Sequence, residues 1–233
     1  MTARRLARFF GAVMVTSWTT LLCAPVPAAS AQPCPDVEAV FARGTGETAG
    51  VGGIGQAFVD ALRSQVGGKS LEVYAVNYPA SSDFGGGIQF AATVIAGISD
   101  AATHVQATAA NCPQTRIVLG GFSQGAVVAG FVTSAAVPEG VPAGLVPPPM
   151  PPEVANHIAA VVLFGKPSDR FMRDVGAPPV VIGPLYAAKT IDLCGPDDTI
   201  CNGAPPGGPS IGHALYGMNG MTNQAAEFAA SRL

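Results

Sequence analysis

Charge is sparse in this sequence: of 233 residues only 12 are Lys or Arg and 15 are Asp or Glu, and no stretch gathers the basic ones into a cluster. A nucleic-acid partner is therefore not expected, since phosphate neutralisation needs a basic patch. Histidine is scarcer still, with three in the chain, and none of the five cysteines forms a Cys-x-x-Cys pair. Zinc sites draw on such clusters, so no metal is expected. Past the first thirty or so residues there is no run of about 18 apolar residues, which leaves no candidate for a spanning helix in the mature chain. No internal repeat is visible.

What is present begins with Arg4, Arg5 and Arg8 ahead of an apolar run from Phe9 to Cys23, followed by Ala29-Ser30-Ala31. That order reads as a signal peptide over residues 1–31, with 32–233 as a single domain. A lipid anchor on Cys23 is the competing reading, but the bulky Leu22 stands where lipoprotein processing expects a small residue. The expected location is extracellular, with association with the cell envelope left open, and a monomer is favoured. Processing removes three arginines and no acid, taking the formal charge from −3 to about −6.

Export places the remaining cysteines, Cys34, Cys112, Cys194 and Cys201, in an oxidising compartment, where two disulfides are expected. Three pairings are possible. The short separation of Cys194 and Cys201 favours a local bridge, which leaves Cys34 to Cys112.

Residues Asp36 to Arg43, Leu71 to Tyr78, Arg116 to Gly120, Ile158 to Gly165 and Lys189 to Leu193 are apolar runs of strand length, rich in Val and Ile. Between them Ile54, Phe58, Leu62 and Val66, then Val94, Ile98, Ala102 and Val105, repeat at helical spacing. A third helix is expected after Ser123 and a last one over Met221 to Leu233. Strands alternating with helices predict an α/β fold, a mostly parallel five-stranded sheet with helices on both faces. Cys34 and Cys112 each precede a strand, so their bridge requires those strands to be neighbours. It would close a loop of nearly eighty residues, worth roughly 4 kcal/mol in the chain-entropy model. The Pro-rich segment Pro138 to Pro152 is a loop, and its place after the third helix puts it at the rim away from Ser123, which disfavours a lid.

The strongest chemical signal is Gly121-Phe122-Ser123-Gln124-Gly125, between the strand run and the apolar stretch Ala126 to Ala129. In a strand-turn-helix setting G-x-S-x-G lifts the serine hydroxyl clear of the sheet, marking Ser123 as a nucleophile. A serine needs a base. His104 falls in a helical segment and reads as a helix-surface residue, and His157 precedes a strand at the amino rim. His213 follows the last strand run and fits the order Ser, acid, His. For the acid, Asp169, Asp192, Asp197 and Asp198 all qualify by position. Asp192 lies inside a strand, whereas Asp197 and Asp198 sit in the loop that a Cys194–Cys201 bridge would hold rigid, which favours that pair. Acyl transfer also needs oxyanion donors: the N–H of Gln124, and one from the turn Arg43-Gly44-Thr45-Gly46-Glu47. That turn lacks the Lys-Ser or Lys-Thr of a P-loop.

These residues bring a family into view. With Cys34-Pro35-Asp36, Ala42-Arg43-Gly44-Thr45, Cys112-Pro113, the Ser123 motif, and Cys194 to Cys201 followed by His213, the chain resembles the cutinase family, particularly its secreted bacterial members. The resemblance runs from Cys34 to Leu233. It implies a lidless three-layer α/β/α hydrolase-type fold and a triad of Ser123, Asp198 and His213, settling Asp198 over Asp197. It also implies an oxyanion hole from Thr45 and Gln124, disulfides Cys34–Cys112 and Cys194–Cys201, and action on carboxylic esters or lipids without a cofactor. Thr45 stands where serine is frequent, and Phe122 where tyrosine is common. The segments Ser82 to Phe90 and Phe171 to Tyr186 are expected at the site rim, with Phe84 and Phe171 binding an acyl chain. A thioesterase, phospholipase or sugar-ester deacetylase on the same triad is the alternative, as is a secreted binding protein or antigen with vestigial catalysis.

Overall fold

Five Val- and Ile-rich segments become five parallel strands: β1 (Val37–Ala42), β2 (Leu71–Ala75), β3 (Arg116–Phe122), β4 (Ile158–Phe164) and β5 (Thr190–Leu193). The computed structural model describes residues 33–142, 144–205 and 208–233. The expected signal peptide and Cys23 lie outside them. Strand order is β2-β1-β3-β4-β5, and every neighbouring pair is parallel. β1 and β4 are buried along their whole length, as strands covered on both faces must be. Edge strand β2 is only partly buried.

The helices that cover the sheet are α1 (Gly52–Gln65) and α7 (Met221–Ala230) on one face, α2 (Ile88–Asn111) and α3 (Gln124–Val132) on the other. β1 shows why both cores form from one strand. Val37, Ala39 and Phe41 pack with Phe58 and Leu62 of α1 and Ala225 and Ala229 of α7. Val40 and Ala42, on alternate positions, pack with Ala101 and Val105 of α2 and Val128 of α3. Phe41, Phe58 and Phe164 centre the first core, with ring centroids 5.8 to 6.2 Å apart. Three short helices follow later in the chain: α4 (Asp169–Asp174), α5 (Pro184–Ala187) and α6 (Ile211–Ala214). Residues 34–233 make one compact unit, and no helix among the described residues is long and apolar enough to cross a membrane.

α3 starts at the carboxyl end of β3 and runs back along the sheet, so the proline-rich segment after it leads to the start of β4. It reaches β4 through a short 3-10 turn, Pro152–Asn156. The described part of this irregular stretch thus leads to the rim away from Ser123.

One expectation fails. His104 is not a free helix-surface residue. Glu38 on β1 is only 8% exposed and faces α2, and a carboxylate there needs donors. His104 Nε2 lies 2.8 Å from Glu38 Oε1, and Thr108 Oγ1 donates to Oε2 at 2.8 Å. Tyr74 of β2 stacks flat on the imidazole at 3.4 Å and donates its hydroxyl to Asp100. Residues 100, 104 and 108 share one face of α2, and that face meets a polar patch of the sheet that helical spacing alone does not reveal.

Because β1 and β3 are neighbours, Cys34 and Cys112 come together at the amino rim with Cα atoms 5.5 Å apart, and the bridge forms. It spans 78 residues of sequence. Replacing both cysteines by serine is expected to lower the free energy of unfolding by roughly 4 kcal/mol, read as an earlier urea midpoint. A midpoint unchanged under non-reducing conditions would contradict this.

Candidate active site

Ser123 stands between β3 and α3 with φ 53° and ψ −115°, one of two non-glycine residues with positive φ among the described residues. Such a conformation costs roughly 1–3 kcal/mol and persists only when its surroundings impose it. Here Ser123 N–H donates to Phe164 O at 2.9 Å, and Ser123 O accepts from Ala126 N at 2.9 Å. Both flanking glycines are required by close approach. A Cβ on Gly121 would stand 2.1 Å from Gly125 O, and one on Gly125 would stand 2.0 Å from Ala42 O. The hydroxyl is left partly exposed at the carboxyl end of the sheet.

Ninety residues further along the chain, α6 presents His213 to it. His213 Nε2 lies 2.8 Å from Ser123 Oγ, and Nδ1 lies 2.8 Å from Asp198 Oδ2. Asp198 is wholly buried inside the loop closed by the Cys194–Cys201 bridge, whose Cα atoms are 5.7 Å apart. Its other oxygen accepts from Ile200 N at 2.9 Å. Burial pushes the Asp198 carboxyl up, but hydrogen bonds from His213, Tyr216 and Ile200 together outweigh it and hold the group below the ordinary carboxylate range.

The competing acids are placed elsewhere. Asp197 is exposed, and its carbonyl accepts from Ser210 Oγ. Asp192 pairs with Lys166 at 3.3 Å. Asp169 opens α4 behind the Ser168 cap, and its neighbour Arg170 pairs with Asp174 at 3.7 Å. His157 sits at the amino rim, where its carbonyl accepts from Ile117 N.

Two residues that sequence reasoning misses complete this corner. Tyr216, with no exposed surface, donates its hydroxyl to Asp198 Oδ2 at 2.6 Å. The only sequence signal was a polar-tipped aromatic three residues after the candidate base. Gly165 ends β4 with φ +55°, and a Cβ there would lie 2.9 Å from Asp198 Oδ2 and 3.0 Å from His213 Cε1. It forms the floor under the imidazole and carboxylate.

The turn after β1 packs against the residue preceding Ser123, since a Cβ on Gly44 would stand 2.6 Å from the Phe122 ring. Thr45 is partly exposed in that turn. Arg43 braces it from within. It is 7% exposed, donates Nε to Glu47 O at 2.9 Å and a second nitrogen to Tyr78 O, and receives the Tyr78 hydroxyl on its own carbonyl. Gly46 N–H reaches Ala80 O at 2.7 Å, tying the turn to the strap after β2. Gln124, the first residue of α3, extends its side-chain amide to Ser81 O at 3.1 Å. At a first helical position its backbone N–H has no partner within the helix.

The stretch Gly50-Val51-Gly52-Gly53-Ile54-Gly55 carries the spacing of a dinucleotide fingerprint at the start of α1, another feature sequence reasoning misses. The structure assigns that position to an internal anion. Glu47 accepts from Gly53 N at 2.7 Å and from Gly44 N at 2.6 Å, and a Cβ on Gly52 would stand 2.1 Å from its carboxylate. These amides serve the chain's own carboxylate.

Phe84 lies in a 3-10 turn (Phe84–Gly86), 62% exposed, against Phe90 at 5.0 Å. Phe171 lies in α4, partly buried, its N–H bonded to Ser168 Oγ. The rings that pack on His213 are Phe122 and Tyr216.

A serine, a base and a buried carboxylate in this geometry can carry acyl transfer. The family model described as Cutinase matches residues 33–233. This chain belongs to the cutinase family. A probable carboxylesterase of Mycobacterium tuberculosis, Culp5, is 59% identical over 76% of this chain and 95% of its own length. The carboxylesterase Culp1 of Mycobacterium bovis is 50% identical over 100% of this chain and 98% of its own. Among solved structures, the Trichoderma reesei cutinase in complex with a phosphonate inhibitor aligns with a TM-score of 0.63 and 31% identity. It covers 85% of this chain and 77% of that one. This cutinase-family chain is a carboxylic ester hydrolase.

Two outcomes follow from the site. Gly165→Ala is expected to lower kcat/KM by about tenfold or more, because the methyl displaces a geometry that tolerates little error; steady-state kinetics beside a melting curve checks it. Because the folded Asp198 lies below its ordinary value of 3.8, its ionised form contributes stability above that value, and the contribution is lost as pH falls through the folded one. The stability difference between wild type and Asp198→Asn is expected to stay level above about pH 5 and to shrink as pH falls below 3.8. Urea melts across that range measure it.

Proposed function

We propose that this cutinase-family chain is an exported carboxylesterase in which Ser123 is the nucleophile, His213 the general base and Asp198 its orienting acid. The observation that carries the reading is the unbroken series of hydrogen bonds from Ser123 Oγ through both ring nitrogens to Asp198, each 2.8 Å. His213 takes the hydroxyl proton as Ser123 attacks the ester carbonyl. The N–H of Gln124 and a donor from Thr45 hold the oxyanion. His213 then protonates the leaving alcohol, an acyl-enzyme remains, and water deprotonated by the same imidazole releases the acid and restores the serine. Asp198 stabilises the imidazolium in both halves. The chemistry requires no cofactor.

Export is the second part of the proposal. Residues 1–31 are removed as a signal peptide and 32–233 act as one extracellular domain. The disulfides Cys34–Cys112 and Cys194–Cys201 support this, because such bridges persist in oxidising compartments. For the acyl group, exposed Phe84 and partly buried Phe171 are the apolar surfaces we assign. A phospholipase reading has its own support, since the phospholipase Culp4 of Mycobacterium tuberculosis is 45% identical over 99% of this chain.

A fluorophosphonate probe tests the core of this reading. Wild type is expected to label, Ser123→Ala not, with kcat lowered about ten-thousand-fold or more. A folded wild type that fails to label favours a non-catalytic binding protein instead, and equal labelling of both removes Ser123 as the nucleophile. Activity is expected to fall on acidification as His213 takes up a proton, and a flat profile from acid to neutral would remove it as base. Replacing Phe84 and Phe171 by Ala is expected to lower turnover of long acyl esters more than short ones. A panel of graded acyl esters that includes a phospholipid separates the two substrate classes.

A further inference from the structure

The geometry points to Tyr216 as a positioning residue for the relay: its hydroxyl orients the Asp198 carboxylate and limits how strongly that carboxylate holds the proton of the His213 imidazolium. This rests on the triad reading above.

The direction of the tyrosine proton is decided by its neighbours. Gly195 N–H, which can only donate, approaches the phenol oxygen at 2.9 Å. The single hydroxyl proton is therefore free to point at Asp198 Oδ2, 2.6 Å away. Cys201 Sγ stands beside the same oxygen at 3.5 Å, within the disulfide. Oδ2 is thus shared between two donors, Tyr216 and His213, while Oδ1 accepts from Ile200 N–H. Three donors converge on one buried carboxylate, an arrangement suited to its ionised form.

Packing alone does not explain a tyrosine here. The ring is wedged between Phe122 at 5.8 Å and Phe164 at 6.0 Å, with its edge to His213 at 6.4 Å. A phenylalanine would fill that space without burying a hydroxyl that must be paired. The hydroxyl draws charge away from the oxygen that faces His213. Without it, that oxygen holds the imidazolium more tightly, and the carboxylate loses one of the contacts that fix its plane. The other charged groups around this corner are Asp192, paired with Lys166 at 3.3 Å, and exposed Asp197. Substituting Tyr216 leaves all three in place.

The test compares Tyr216→Phe with a chain carrying 3-fluorotyrosine at 216, a stronger donor of nearly the same shape, using pH profiles of kcat/KM on a short acyl ester. Tyr216→Phe is expected to lose about tenfold in kcat with KM little changed, and its acid limb is expected to move up by about half a pH unit. The fluorinated chain is expected to move the limb the other way. A uniform loss across pH with an unmoved limb marks a merely structural residue and overturns the proposal, as does wild-type behaviour of Tyr216→Phe. If Tyr216→Phe does not fold, the fluorinated chain decides alone, and an unmoved limb overturns the proposal. Fluorophosphonate labelling of wild type is run alongside: its failure sinks the triad reading itself, whereas labelling with an unmoved limb sinks only the role of Tyr216.

Discussion

A serine forced to φ 53° between a buried strand and a buried helix is the constraint on which the rest of this molecule depends. The turn exists only because β1, β3 and β4 run side by side and in the same direction. Ser123 N–H is held by the end of β4, and Gly125 passes within van der Waals reach of the end of β1. The strain at Ser123 is therefore offset by the sheet itself and not by local sequence preference.

The electrostatics around this turn are arranged from outside it. Asp198 comes from a disulfide-closed loop, His213 from a four-residue helix and Tyr216 from the turn after that helix. Rigidity comes from mutual satisfaction: each polar group in this corner holds another, and the corner is floored by a glycine that leaves no space to shift. The turn after β1 repeats the logic. Arg43 and Tyr78 hold one another's backbone carbonyls, so a turn of five residues with two glycines is braced by a buried cation.

Much of the architecture was legible because it depends on short-range pattern. Buried parallel strands read as unbroken Val and Ile runs, and the strand-turn-helix signature of Ser123 fits within a dozen residues. The local disulfide followed from a separation of 7 residues, and the long one from two cysteines each preceding a strand. What was not legible joins residues distant in sequence through side-chain reach. His104 looked like a surface residue because helical periodicity cannot report that Glu38 waits on the neighbouring strand. The glycines 50 to 55 have the spacing of a nucleotide fingerprint, which the sequence reading passed over, yet the amide of Gly53 serves Glu47. Spacing records where a backbone N–H can be, not what occupies the space before it.

The sequence by itself determined the fold class, the sharp turn at Ser123 and the narrow field of candidates for base and acid, because each follows from local sterics and from the scarcity of histidine. The residues by themselves left Asp197 and Asp198 open, and only the family resemblance pointed to Asp198; the tertiary structure shows that Asp198 meets His213, and it alone decided that Tyr216 shares its oxygen and that Gly165 must lack a side chain. Those choices turn on distances of about 3 Å between atoms contributed by separate segments, and such distances are set only once the sheet has brought the ends of its strands to one rim.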